Sequence, residues 1–150
     1  MSTFTIGNRV IGDNHPCLII TELSANHNQK LEIDTIRQAS KAGADAIKLQ
    51  TYTPDSLTID CKKDYFKIDD NTIWDGGYMY DLYQTAYMPW EWHEELKRVA
   101  IEEGLMFFST PFSEEAVDFL CQLGVDVLKI ASPEITHLPL IEYAAKKLPT

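Results

Sequence analysis

The sequence predicts an α/β fold in which short parallel strands alternate with helices. Two observations carry this prediction. First, residues 43–48 (Gly-Ala-Asp-Ala-Ile-Lys) return almost unchanged as residues 124–129 (Gly-Val-Asp-Val-Leu-Lys), each after an amphipathic helical run. Second, each copy has the same order of signals: a glycine that ends a helix, an apolar strand suited to burial on both faces, and a lysine. Lys48 and Lys129 should therefore lie at the carboxyl ends of two parallel strands, the edge where α/β folds place their chemistry.

The chain begins with a predicted β-hairpin, because residues 4–6 and 10–11 flank the pair Gly7-Asn8, a typical two-residue turn. After it, the strands of the parallel sheet are predicted at residues 18–23, 46–50, 105–109 and 127–131. Each is a compact apolar run of the kind that a parallel sheet buries.

The helices are predicted from apolar residues at helical spacing and from the signals at their ends. They cover residues 31–42, 89–104, 113–124 and 136–149. Gly43, Gly104 and Gly124 end the first three. Ser113 is a predicted N-cap. Pro89 opens its helix with carboxylates close behind, where they favour the helix dipole.

Four β-α units are compatible with two architectures. One is a small open sheet, although no GxGxxG follows the first strand to favour a dinucleotide fold. The other is half of a (β/α)₈ TIM barrel, which normally needs about 250 residues. Because the chain ends in Leu-Pro-Thr, where a fifth strand would follow, we expect residues 1–150 to be the N-terminal half of such a barrel.

The overall composition restricts the function class. The chain has 150 residues, 45% of them hydrophobic, which is enough for one domain with a core. A net charge of −10 argues against binding to nucleic acid or to an anionic membrane. Three widely spaced cysteines, no signal-like start and no membrane-length apolar run lead us to expect a cytoplasmic protein.

Strand alternation puts the candidate site residues on one face of the sheet. Lys48 and Gln50 share a face of the second strand, and Glu22 reaches the same rim from the first strand. Because a buried lysine needs an anionic partner, Lys48 and Lys129 predict an anionic-ligand site; the alternative is that both simply extend into solvent. Glu22 is either an acid–base or orienting group, or it only neutralises a lysine.

Further polar residues follow the third and fourth strands. The hydroxyls of Ser109 and Thr110 could bind carboxylate or phosphate oxygens, or could merely end the strand. Ser132 and Glu134 follow Lys129, beyond a proline turn. The histidines His15, His93 and His137 match no metal-ligand spacing, and surface or helix-start positions account for them. No metal ligand is therefore assigned within the chain.

The connection at residues 51–88 is far longer than a usual βα loop and is rich in aromatic residues. Helical spacing of Met79, Leu82, Tyr83 and Ala86 predicts one short extra helix within it. Two roles remain open for the aromatic residues: a lid or sugar-stacking wall, and a surface that packs on a neighbouring subunit.

Three runs together resemble the sialic acid synthase family in order and spacing: residues 20–27 (Ile-Thr-Glu-Leu-Ser-Ala-Asn-His), 47–52 (Ile-Lys-Leu-Gln-Thr-Tyr) and 129–132 (Lys-Ile-Ala-Ser). Residues 50–58, 74–75, 80–83 and 89–93 are similar, more narrowly, to its pseudaminic acid synthase branch. The resemblance covers essentially the whole chain.

This resemblance implies a phosphoenolpyruvate-dependent condensation with an open-chain acetamido sugar. The product is a nonulosonic acid for bacterial cell-surface carbohydrate, and phosphate is released. The residues implied to bind phosphoenolpyruvate are Lys48, Thr110, Lys129 and Ser132. Gln50 and Glu134 would contact the sugar, with Glu134 helping to open its ring, and Glu22 would orient the attacking water or the metal-bound water.

The resemblance also implies parts that these 150 residues do not include. They are a manganese-like divalent metal held by two histidines of the later barrel half, and a C-terminal antifreeze-like domain that reaches across a homodimer. Two other functions remain open from the residues themselves. One is a barrel aldolase that forms a Schiff base on Lys48 or Lys129. The other is a non-catalytic half-barrel that binds a ligand or pairs with another copy.

Overall fold

The computed structural model describes residues 3–23, 27, 30–69, 71 and 73–150. It has the predicted α/β class, with a three-stranded parallel sheet and an antiparallel hairpin ahead of it. The strands are β1 (Phe4–Ile6), β2 (Arg9–Ile11), β3 (Ile20–Glu22), β4 (Ala46–Thr51) and β5 (Met106–Pro111). The helices are α1 (Ile33–Lys41), α2 (Pro54–Leu57), α3 (Met79–Ala86), α4 (His93–Glu102), α5 (Glu114–Leu123) and α6 (Leu138–Lys147).

The hairpin of β1 and β2 is joined to the sheet by an ion pair at the amino ends of the parallel strands. Gly7 turns the hairpin with a positive φ of 56°, a conformation that glycine adopts without steric cost. Arg9 donates a 2.8 Å hydrogen bond to Asp45, the residue just before β4. Asp45 also accepts from the backbone N–H of Ile19 at 2.8 Å. The hairpin is therefore held at the end of the sheet away from the candidate site.

The parallel sheet has the order β3-β4-β5, and its register determines which side chains are neighbours. Glu22 lies beside Lys48, and Gln50 lies beside Thr110. Because side chains alternate along a strand, these four point to the same face of the sheet. The strand order and register thus align polar residues near the carboxyl ends of three strands.

The other face of the sheet carries the hydrophobic core. Ile47 and Leu49 of β4 are completely buried there and belong to one cluster with residues of the covering helices. The largest fully buried apolar members from the helices are Ile36, Leu96, Val99, Val117, Leu120 and Leu140. None of the described helices is long and apolar enough to cross a membrane.

The predicted fourth strand at 127–131 is wrong in extent. It is reduced to a single parallel bridge between Leu128 and Ser109. Ser132 already has helical dihedrals, φ −60° and ψ −39°, and a 3₁₀ helix follows at Pro133–Thr136. The helical backbone from Ser132 onward ends any strand ladder there, since its N–H groups point along the helix axis. Lys129 still donates its backbone N–H to Ser109 O at 3.2 Å, so its register beside β5 is retained.

The ends of the helices show which predictions from local sequence signals agree with the structure. The Ser113 side chain accepts a hydrogen bond from Ala116 N at 3.1 Å, and Gly124 closes α5 in the left-handed conformation, as predicted. Pro89, in contrast, opens a 3₁₀ turn at Trp90–Trp92, and α4 begins only at His93. The predicted start of that helix was therefore four residues early.

Replacing the N-cap Ser113 with alanine is expected to lower the free energy of unfolding by about 1 kcal/mol, because the N–H of Ala116 loses its acceptor. Denaturant titration measures this difference. Ser113→Thr is the matched variant, since threonine keeps a capping hydroxyl and should remain close to the wild type. Equal destabilisation by both substitutions would contradict a role for the cap.

Candidate active site at the carboxyl ends of the strands

A row of polar side chains occupies the sheet face opposite the helices. Glu22 and Lys48 are neighbours, and so are Gln50 and Thr110. Since Leu128 is level with Ser109, Lys129 comes level with Thr110. By strand alternation Lys129 then points to the same face as Lys48, two strands away. The two lysines that the repeated motif singled out are therefore on one side of the molecule.

Lys48 is paired with Glu22. Its ammonium lies 2.5 Å from Glu22 Oε2, and the lysine is only 8% exposed. A buried ammonium is stable only with such a partner, because neither solvent nor an apolar wall would neutralise it. The alternative in which Lys48 extends into solvent is wrong, and Glu22 does neutralise a lysine. Any acid–base role of Glu22 stays a prediction.

Thr110 contributes a hydroxyl group that the described residues do not satisfy. It is 1% exposed, and its Oγ1 has no hydrogen-bond partner there. Leaving such a group unpaired costs about 1–3 kcal/mol, so buried polar atoms are usually paired. An oxygen-bearing ligand on the face shared with Gln50 would complete its hydrogen bonding.

Glu134 lies in the 3₁₀ helix beyond the fourth segment and is the second residue with an unsatisfied polar atom. Its Oε2 is buried and has no partner among the residues described. Burial raises the pKa of the Glu134 carboxyl, and this outweighs the opposing effects of nearby His137 and Lys129. The carboxyl therefore retains its proton to higher pH than an ordinary glutamate, as a proton donor requires.

The remaining predicted site residues are exposed. The side chains of Lys129 and Ser132 lie at the surface, at the end of the bridged segment and at the start of the 3₁₀ helix. Lys129 is near enough to Glu134 to lower its pKa. The structure thus brings Lys129 into the neighbourhood of Glu134, while it pairs Lys48 with Glu22.

A cavity of about 420 Å³ lies between the strand ends and the long connection. It is lined by Gln50, Tyr52, Leu57, Trp74, Leu82, Tyr83, Ala86, Phe112, Ala131, Pro133 and Glu134. Its volume is within the range of roughly 300–1,000 Å³ common for small-molecule sites. Burial, together with neighbouring Tyr83, raises the pKa of Tyr52 to about 12, so this phenol is neutral at physiological pH.

A larger cavity of about 520 Å³ lies at the opposite end of the sheet, beneath the hairpin. Its Arg9 and Asp45 are already paired with each other. Its Lys97 donates to the carbonyls of Leu123 and Gly124 at the end of α5. Because its Arg9, Asp45 and Lys97 already have structural partners, this cavity is a weaker candidate than the one at the carboxyl ends.

The long connection is ordered around the site-side cavity. Besides the predicted helix α3 it contains α2 and a 3₁₀ turn at Asp64–Phe66. Lys62 pairs with Asp81, and the Tyr80 hydroxyl donates to Asp55 at 3.1 Å. The cavity lining supports the predicted wall role. Exposed Ile59 and Ile73 keep the subunit-packing alternative open.

His27 joins the first loop to the end of the long connection. It is 3% exposed, and its Nε2 lies 3.1 Å from Ala86 O and 3.2 Å from Tyr87 O. Its ring meets Trp92 edge-on at 5.5 Å. Residues 24–26 of the same motif, and residues 28–29 after it, are outside the described residues.

Sequence reasoning missed a buried hydrogen-bond chain directly behind the site. His93 is completely buried, so the predicted surface position is wrong, although it does begin a helix. Its Nδ1 lies 3.2 Å from Pro89 O, which can only accept, so Nδ1 carries the proton. Nε2 then accepts from Thr51 Oγ1 at 2.8 Å, and Thr51 accepts from Ser109 at 2.7 Å.

This chain of hydrogen bonds joins α4, β4 and β5, and Thr51 and Ser109 immediately adjoin Gln50 and Thr110 in sequence. Burial lowers the pKa of His93 to about 4, which keeps the ring neutral. A signal was available in the sequence: His93, Leu96 and Ala100 are spaced three and four residues apart, which puts the histidine on the buried stripe of the helix.

The NeuB family model matches residues 35–149. The chain belongs to the NeuB family. It is 47% identical over 133 residues to the pseudaminic acid synthase of Helicobacter pylori, covering 87% of this chain and 39% of that protein. It is 38% identical over 144 residues to the N,N'-diacetyllegionaminic acid synthase of Legionella pneumophila, covering 92% of this chain and 39% of that protein. These relatives confirm the resemblance that the motifs indicated.

A solved relative agrees in fold with this NeuB family member. The N-acetylneuraminic acid synthetase of Leptospira borgpetersenii serovar Hardjo-bovis, in complex with citrate, superposes with a TM-score of 0.80 at 30% identity. The match covers 97% of this chain and 47% of that one. The chain spans about 39% of the length of the curated relatives named above.

Proposed function

We propose that this chain supplies binding and catalytic residues to a nonulosonic acid synthase, which condenses phosphoenolpyruvate with an acetamido sugar and releases phosphate. One observation carries the proposal. The unsatisfied hydroxyl of Thr110 lies on the same sheet face as Lys48 and Lys129, beside a cavity that contains Glu134. Cations and a hydroxyl donor suit a phosphorylated carboxylic acid, and the adjoining cavity suits a small polyol. The names of the relatives support the same reaction class.

We also propose that the sheet is the first part of a (β/α)₈ barrel, with residues 1–150 as its N-terminal half. Its parallel strands have helices on one face and the polar row on the other, as barrel strands do. The polar row would then face the barrel interior. A homodimer and a cytoplasmic location belong to the proposal as well.

In the proposed reaction, the enol carbon of phosphoenolpyruvate attacks the aldehyde carbon of the open-chain sugar, and the aldehyde oxygen gains a proton. Water adds to the resulting cationic carbon, and phosphate leaves as the C–O bond breaks. Lys48, Thr110, Lys129 and Ser132 would hold the phosphate and carboxylate oxygens. Gln50 would bind the sugar, Glu134 would move a proton as its ring opens, and Glu22 would orient the water.

The divalent metal implied by the family is not assigned to these residues. The described part of the chain contains no group of three or more histidine, cysteine, aspartate or glutamate side chains that could hold a metal ion. We propose, as the family resemblance implies, that two histidines of the later barrel half hold the metal, and no step above is attributed to it.

The reaction is tested with the intact protein, acetamido sugars and phosphoenolpyruvate labelled with ¹⁸O at the bridging oxygen. The expected result is a nonulosonic acid, with the label in the released phosphate because the C–O bond breaks. Borohydride trapping of a pyruvate adduct on Lys48 or Lys129 would instead support the aldolase. Phosphoenolpyruvate binding without turnover of any sugar would support the non-catalytic half-barrel.

Lys129→Ala is expected to weaken phosphoenolpyruvate binding roughly 10- to 150-fold, the range for losing a charge-assisted hydrogen bond worth about 1.5–3 kcal/mol. Isothermal titration of the intact protein measures it. Because Lys129 is exposed, the substitution should leave folding intact. Lys146→Ala is the matched control, since Lys146 lies on the surface of α6 in an exposed ion pair with Glu142. Equal affinities of wild type and Lys129→Ala would contradict the assignment.

A further inference from the structure

The site-side cavity is chemically asymmetric. Its amide and carboxyl groups come only from the ends of the sheet segments, in Gln50 and Glu134. Leu57, Trp74 and Leu82 from the long connection add apolar surface, and the tyrosines add rings. A ligand that fills this cavity can therefore hydrogen-bond to Gln50 and Glu134 while apolar groups of the ligand pack against the connection.

The aromatic part of the cavity is preformed. Tyr52 meets Tyr83 edge-on at 6.0 Å and meets Phe112 edge-on at 5.6 Å. These three rings come from three separate segments, so each limits the movement of the others. Helix α3, which carries Tyr83, is also tied down through the Lys62–Asp81 ion pair. Tyr52, Trp74, Tyr83 and Phe112 together form the aromatic wall of the cavity. Because the rings of Tyr52, Tyr83 and Phe112 hold one another in place, this wall can discriminate between ligands by shape and polarity.

Trp74 lines the cavity and is also partly exposed to solvent. It is 45% exposed, so a ligand packed against it would bury apolar surface of this residue. Such burial of apolar surface stabilises a complex by about 25 cal/mol per Å². The gain occurs only if the group placed against the ring is itself apolar.

We propose that Trp74 and Tyr83 determine which acetamido sugars the site accepts, by packing against a methyl group of the sugar. The inference rests on the proposed function. A methyl group against this wall gains burial, whereas a hydroxyl there loses its hydrogen bonds to water without replacement. Two parts of such a sugar can supply the methyl group, namely an acetyl group and a terminal carbon without its hydroxyl. Both present the same chemistry to the wall.

The test compares matched sugars on the intact protein by equilibrium titration and by kcat/KM. One pair differs only in a terminal methyl against a hydroxymethyl, and the second pair differs only in acetyl against formyl on the amine. Wild type is expected to prefer the methyl-bearing member of one pair by about 10-fold or more. The pair that shows the preference identifies the source of the methyl group.

Trp74→Ala is expected to abolish that preference while phosphoenolpyruvate affinity stays unchanged. Trp74→Phe keeps an apolar ring and should retain most of the preference. Tyr65→Ala is the matched control, because Tyr65 is 88% exposed on the same connection and does not line the cavity. It should behave like the wild type. Since Trp74 is half exposed, its replacement is not expected to unfold the protein.

Two results would overturn the inference. One is a wild type that binds both members of both pairs equally, and the other is a Trp74→Ala variant that keeps the full preference. Because sugar binding is measured without turnover, failure of the proposed reaction is recognised separately. If the protein prefers the methyl-bearing sugar but forms no product, the role of the wall in sugar binding is supported and the proposed synthase reaction is contradicted.

Discussion

Glu134→Gln is expected to lower kcat at least about 100-fold, within the 10²–10⁴ range that a positioned acid or base contributes. The carboxyl lines the cavity, and its Oε2 has no partner in the part of the chain that the structure describes. Burial raises its pKa, so the protonated form persists to higher pH. Glutamine has the same shape but cannot transfer a proton. Steady-state kinetics with a cyclic acetamido sugar measure the effect.

The pH profile gives a second readout of the same residue. If protonated Glu134 is the active form, wild-type kcat falls as pH rises through the raised pKa of Glu134. This decrease of kcat at high pH should be absent from the pH profile of Glu134→Gln. A sugar aldehyde that cannot cyclise should restore much of the rate, since ring opening is then unnecessary. Glu142→Gln, in an exposed ion pair on α6, is the matched control and should leave kcat unchanged. An unaltered kcat in Glu134→Gln would exclude the assigned role.

Acidification is expected to destabilise the fold through His93. Burial lowers its pKa from 6.5 to about 4, so the unfolded chain takes up a proton at a pH where the folded chain does not. Stability is unaffected by this group above pH 6.5, and it declines as pH falls from 6.5 towards 4. The total loss is about 3 kcal/mol, since each pKa unit corresponds to about 1.4 kcal/mol. Denaturant titrations across this range measure it.

The matched variants separate His93 from the other titrating groups. His93→Gln removes the titration, so its stability should depend less on pH over this range, although the variant is less stable at neutral pH. His15→Gln, at an exposed position, should reproduce the wild-type dependence. If the stability of wild type and of His93→Gln fell equally with pH, His93 would not be the group responsible. Protonation of another group would then cause the loss of stability.

Features governed by neighbours in sequence were predicted well. The cap at Ser113 and the left-handed glycine at the end of α5 each depend on a few adjacent residues. Alternation along β4 likewise separated buried Ile47 and Leu49 from Lys48 and Gln50 on the other face. Such features are predictable because the backbone conformation within one element determines both capping and side-chain direction.

Features that join distant segments were not predicted. The hydrogen bonds of Thr51 reach His93, 42 residues away, and Ser109, 58 residues away. No local pattern in the sequence specifies these pairs. The fourth strand is likewise reduced to one bridge to β5, and a 3₁₀ helix follows Ser132.

From the amino-acid order alone came the α/β class, the position of the two lysines at one edge of the sheet and the family to which the chain belongs. Each follows from periodicity or motif, which are properties of short stretches. Folding in three dimensions was needed to pair Lys48 with Glu22, to bury the Thr110 hydroxyl without a partner among the described residues, and to build an aromatic wall from the long connection. Those outcomes depend on strand register and on packing between distant segments, which no single stretch of sequence encodes.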